Sequence, residues 1–115
     1  MGTNNQTDAS LLAKAADIAA LVDYQSSSVV SRTIIDRSAG SVTLFAFDQG
    51  QGLSEHTASF DALVQIIDGE AVITIDGHSI KLKSGEATIM PANRPHSFKA
   101  DTKFKMMLVM IRDNQ

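Results

Sequence analysis

Few side chains in this sequence could carry chemistry. There is no cysteine, so no thiolate nucleophile, disulfide framework or sulfur-ligated metal is available. The three histidines are His56, His78 and His96. An imidazole titrates near 6.5, so His56 and His96, if brought together in an apolar pocket, could donate and accept hydrogen bonds to a small ligand. They could also pass protons, or hold a divalent ion through two nitrogens. His78 follows Asp76-Gly77 and reads as a solvated turn residue. The sequence holds no glycine-rich phosphate loop, nucleophile elbow, zinc-finger spacing or Ser-His-Asp arrangement.

Composition narrows the partners. At 115 residues, 43% hydrophobic and 20% charged, the chain has ordinary globular usage for one domain. A net charge of -3 leaves no cationic excess for phosphates or anionic lipid, so neither nucleic acid nor a membrane is an expected partner. Lys99, Lys103 and Lys105 form too small a cluster to change that, and they suit a solvated strand edge. No basic start leads into an apolar run, and no apolar stretch is long enough to span a bilayer, so a soluble, cytoplasmic protein is expected.

The elements that must position the histidines are mostly strands. Met1 to Thr7 is polar and reads as a frayed tail. From Asp8 to Asp23, Leu11, Ala15, Ile18 and Val22 fall at helical spacing behind Asp8 or Ser10 as a cap, which predicts one short helix. After Tyr24 the pattern turns to β-structure. Val29 to Asp36 and Ser41 to Asp48 read as strands around the turn at Arg37 to Gly40. A glycine-marked loop runs from Asp48 to Gly52, and hairpins are predicted at Asp68-Gly69 and Asp76-Gly77. The first hairpin would join Leu63–Ile67 to Ala71–Ile75, and the second would lead into His78–Lys83. Ala87 to Met90 is a short strand, Pro91 and Pro95 stiffen a turn, and Phe104 to Ile111 is a long strand.

Strands this short, broken by turns and without intervening helices, predict an antiparallel sandwich or barrel. By alternation His56, Ala58, Ala62 and Val64 share an inner face, as do His96, Phe98 and Ala100. Glu55 and Asp61, the carboxylates nearest His56 in sequence, should point away. In the last strand Phe104, Met106, Leu108 and Met110 face one way, and Met107, Val109 and Ile111 the other. Both faces are apolar. A strand that needs cover on both sides implies packing against the N-terminal helix or a second subunit, so a homodimer is expected.

Over about residues 40 to 111 the sequence resembles the cupin superfamily, in particular its small single-domain conserved-barrel (cupin 2-like) members. Gly50, His56 and Gly69 stand in register with the first cupin motif, while Ala58 and Ala62 replace its second histidine and its glutamate. Gly85, Pro91 and His96 match the second motif, Asn93 stands for its second glycine, and Ala100 for its asparagine. Asn93 can still take a left-handed turn. The resemblance implies an all-β jelly-roll barrel (a double-stranded β-helix) from residue 24 to 115, preceded by a tail and short helix over 1–23. It also implies a degenerate metal site, because a catalytic divalent ion ordinarily takes three protein ligands and only His56 and His96 remain.

Three functions are compatible with this reading. The first is a non-catalytic or weakly catalytic protein that binds a small organic ligand in a pocket of His56, His96, Ala58, Ala62, Phe98, Met90 and Met106, with no cofactor or a weakly held Zn, Ni, Fe or Mn. The second is a metal-dependent isomerase or dioxygenase in which His56 and His96 gain an unidentified third ligand. The third is a dimeric interaction module with an inert pocket.

Overall fold

The structure, a computed structural model, describes residues 6–112. Nine strands follow in order: β1 Gln6–Thr7, β2 Val29–Arg37, β3 Gly40–Phe47, β4 Gly52–His56, β5 Ala62–Ile75, β6 His78–Lys83, β7 Ala87–Met90, β8 His96–Lys99 and β9 Phe104–Ile111. Every pairing is antiparallel. One layer runs β1-β2-β3-β9-β5-β7, and the other is built from β4, β8, β5 and β6. The long strand β5 belongs to both. Its first half pairs with β9 and β7, and its second half with β8 and β6. The fold is an all-β antiparallel barrel of two faced layers. Among the described residues no helix is long and apolar enough to cross a membrane.

The expected hairpin at Asp68-Gly69 is instead the bend that lets β5 pass from one layer to the other. Gly69 has φ +75°, and a side chain there would place its Cβ 2.3 Å from the Lys103 carbonyl oxygen. The β5–β9 register slips between Ile66 and Asp68, just before Gly69, and Gly69 stays paired with Phe104, so the strand bends here and does not turn back. Asp76-Gly77 is a true two-residue turn, with φ of 52° and 83°, joining Ile75 to His78.

The predicted single helix over Asp8–Asp23 is replaced by two separate 3-10 turns, Ala9–Leu11 and Ile18–Leu21. Asp8 and Asp17 each accept a hydrogen bond from the amide two residues on, Ser10 and Ala19, which closes a local turn in place of helix propagation. Ala13 at φ 55° then breaks the run. Gln6 and Thr7 are not frayed but pair with Asp36 and Ile35. The remainder of the expected tail, residues 1–5, lies outside the described residues.

Inside the barrel Phe47, Val64, Ile66, Ile73, Phe104 and Met106 are fully buried, and the Phe47 and Phe104 rings stack at 4.5 Å. A second cluster sits outside the first layer, where Val22, Leu21 and Tyr24 cover Leu44, Ala46 and Met107. Polar clamps hold that cover down. Tyr24 donates to Asp68 at 2.5 Å, Lys105 to the Ala19 carbonyl at 2.6 Å, and Arg32 to Asp8 at 2.6 and 2.9 Å.

Candidate functional site

His56 ends β4 and His96 opens β8, and the two residues are cross-strand partners. A simple ladder would not pair them. Leu53 faces Phe98, so an unbroken register would set Glu55 opposite His96; one extra residue between Leu53 and His56 shifts the register and brings His56 across instead. The bulge also frees the Ser54 carbonyl, which accepts from His56 Nδ1 at 2.8 Å.

The Nε2 atoms of His56 and His96 lie 3.0 Å apart, with ring centroids 4.2 Å apart and the planes at 73°. A carbonyl can only accept, so the short contact to Ser54 places the His56 proton on Nδ1 and leaves its Nε2 as an acceptor. His96 Nε2–H then donates to it. The Arg94 carbonyl lies farther from His96 Nδ1, at 3.3 Å. His96 is 4% exposed, while His56 stands exposed at the rim. Burial, and secondly the charge His56 would carry, push the His96 pKa below its ordinary value, partly offset by the Arg94 carbonyl.

Two loops frame the pair and are tied together. Asn93 N donates to the Ala58 carbonyl at 2.7 Å, and Ala92 N to Asp61 Oδ1 at 2.8 Å. Arg94 pairs with Asp76 at 2.7 Å, anchoring the second loop to the β5–β6 turn. Asn93 has φ 63°, the left-handed conformation its motif position requires.

Of the residues expected to line a pocket, Phe98, Met90, Met106 and Ala62 are 4%, 2%, 0% and 5% exposed and belong to one packed core cluster. Ala58 is half-buried in the rim loop. The histidine pair therefore sits over a filled apolar interior. A cavity of about 560 Å³ lies elsewhere, on the outside of the first layer, lined by Ser59, Phe60, Asp61, Ala62, Leu63, Ile89, Ala92, Val109 and Ile111. Sequence reasoning missed this feature, although the apolar outward parity of Val109 and Ile111 signalled it.

A two-layer antiparallel barrel with a histidine pair on adjacent strands defines the class as the double-stranded β-helix barrels. The model of the cupin domain family matches residues 43–112, and the chain belongs to that family. A conserved protein of unknown function from Streptococcus pyogenes is 33% identical, with a TM-score of 0.86 over 98% of this chain and 96% of that one. A cupin superfamily protein from Desulfitobacterium hafniense is 26% identical, with a TM-score of 0.84 over 98% and 100%. Salicylate 1,2-dioxygenase from Pseudoaminobacter salicylatoxidans, in a complex with gentisate, is 14% identical, with a TM-score of 0.68 over 75% of this chain and 25% of that enzyme. That likeness is one of fold. A search of the curated proteins gave no match.

Cupins often hold a metal, and the donor set here can be tested for one. Among the described residues no third His, Cys, Asp or Glu stands with His56 and His96. One Asp61 carboxylate oxygen is engaged by Ala92 N, and Ala58, Ala62 and Ala100 offer no donor. Two imidazole nitrogens already bonded to each other do not fit a resident three-ligand centre.

Proposed function

We propose that this protein is a binding cupin that takes up a small organic ligand bearing an acidic hydroxyl or carboxyl group at the His56–His96 pair. The observation that carries the reading is the convergence of the two Nε2 atoms at 3.0 Å over an apolar interior. A buried imidazole with one neutral partner accepts a proton at a cost, and an acidic ligand that supplies the proton and stays as its counter-ion removes that cost. The ligand sits at the mouth, against the rings and the loops carrying Ala58 and Pro95, because Phe98, Met90 and Met106 fill the space behind.

The test combines two measurements on protein purified without chelator. Elemental analysis should find less than about half an equivalent of zinc, nickel, iron or manganese. Titration with a panel of small hydroxy and aromatic carboxylic acids should shift the imidazole nitrogen resonances of His56 and His96 in a saturable way. The shift of the His96 resonances should be lost in His56→Ala. Stoichiometric metal, or no shift with any acid at millimolar concentration, overturns the reading.

A further inference from the structure

The loop that leads into β8 sets a cation beside the histidine pair. His96 is the cross-strand partner of Ile75, and one step further Asp76 N donates to the Pro95 carbonyl at 2.8 Å. Arg94 stands two residues before His96, and its carbonyl lies 3.3 Å from His96 Nδ1. Two residues of chain span at most about 7 Å, which is within the reach of an arginine side chain.

The guanidinium is lightly held. Among the described residues its hydrogen bond is from Nη1 to Asp76 Oδ2 at 2.7 Å, and the two side chains are 58% and 49% exposed. A single ion pair in water contributes little and exchanges readily for another anion. The other three arginines are tied down. Arg32 donates to Asp8, Ser10 and the Leu21 carbonyl, Arg37 to Thr7, and Arg112 to the Arg37 carbonyl and Ser41. Lys99, three residues beyond His96, lies 3.6 Å from Asp101.

Carboxylates dominate the rest of the mouth. Glu55 is exposed beside His56, Asp61 accepts from Ala92 N, and Asp76 holds Arg94. One acid group can bring the proton that the imidazole pair takes and remain as its counter-ion. A second acid group on the same molecule has Arg94 alone to meet.

We propose, resting on the acid-binding reading of the histidine pair, that Arg94 makes the site selective for small dicarboxylic acids. The first carboxyl meets His56 and His96, and the second takes the place of Asp76 on the Arg94 guanidinium. A planar carboxylate suits that fork, which Asp76 engages through one donor only.

Titrations followed by the imidazole nitrogen resonances of His96 test this, with glutarate against valerate and phthalate against benzoate at one pH and ionic strength. The wild type should bind each diacid at least about tenfold more tightly than its matched monoacid, the factor a charge-assisted contact supplies. Arg94→Gln should bring the two within about threefold and leave the monoacid constant unchanged. Asp76→Asn, tolerated at a left-handed turn position with φ 52°, should tighten diacid binding about threefold by removing the competing carboxylate. A wild type without diacid preference, or a preference that survives Arg94→Gln, overturns the inference and leaves the acid-binding reading intact. So does an Asp76→Asn chain that binds the diacid no more tightly than the wild type. No response of His96 to either class of acid overturns both.

Discussion

The proton count on the imidazole pair sets how this site responds to pH. With both rings neutral, His56 Nδ1–H donates to Ser54 and His96 Nε2–H donates to His56. A proton added to His96 would sit on Nδ1, facing the Arg94 carbonyl at 3.3 Å, but it would leave the ring charged in a buried place, with its Nε2 only 3.0 Å from that of His56. His96 is held below its ordinary value of 6.5, chiefly by burial, so the folded chain resists a proton that the unfolded chain accepts. The stability this represents is complete above about pH 6.5 and is lost as the pH falls toward the lower folded value, because there the unfolded state binds more protons. Urea midpoints measured from pH 8 to pH 5 should therefore fall below about pH 6.5, and His96→Gln should flatten that fall. An unchanged slope in the variant would mean that His96 is not the group responsible.

At the scale of elements, the sequence was legible where local chemistry and layer architecture agree. The Asp76-Gly77 turn, the β2–β3 pair and the left-handed Asn93 all follow from short-range preferences that the barrel also demands. Three features were not legible, because tertiary context decides each. The β4 bulge that brings His56 opposite His96 depends on the β8 partner and leaves no local mark at Ser54-Glu55. The split of the predicted helix reflects competition between two aspartate-closed turns and helix propagation. Gly69 carries the strongest lesson, since Asp-Gly is a hairpin signal that here bends one continuous 14-residue strand. The two glycines should respond differently to a methyl group. Gly77→Ala meets nothing within 4 Å and should cost only the left-handed penalty of about 1 kcal/mol. Gly69→Ala drives its Cβ against the Lys103 carbonyl and should cost roughly 3 kcal/mol or more in urea unfolding. Equal losses at the two sites would contradict the layer-crossing role of Gly69.

For the whole molecule, an outer face only half covered by its own N-terminal segment would couple folding to association if a second copy covered the rest. The expectation of a second subunit came from the two apolar faces of β9, and the structure adds where the uncovered part lies, at the cavity lined by Leu63, Ile89, Val109 and Ile111. If two copies close that face, unfolding exposes it in both, and the folded state gains by mass action as protein concentration rises. Each tenfold increase is worth about 1.4 kcal/mol per dimer, which for two chains of this length raises the melting temperature by about 3 °C. Calorimetric scans from about 2 to 200 μM should thus show a rise of about 6 °C for the wild type and none for Ile89→Glu/Ile111→Glu. The loops carrying Phe60, Asp61 and Ala92 form one wall of the groove and also border the histidine pair, so closing the face should hold the mouth loops in place. A melting temperature independent of concentration would separate the two faces of the barrel energetically and leave the mouth to work in a single chain.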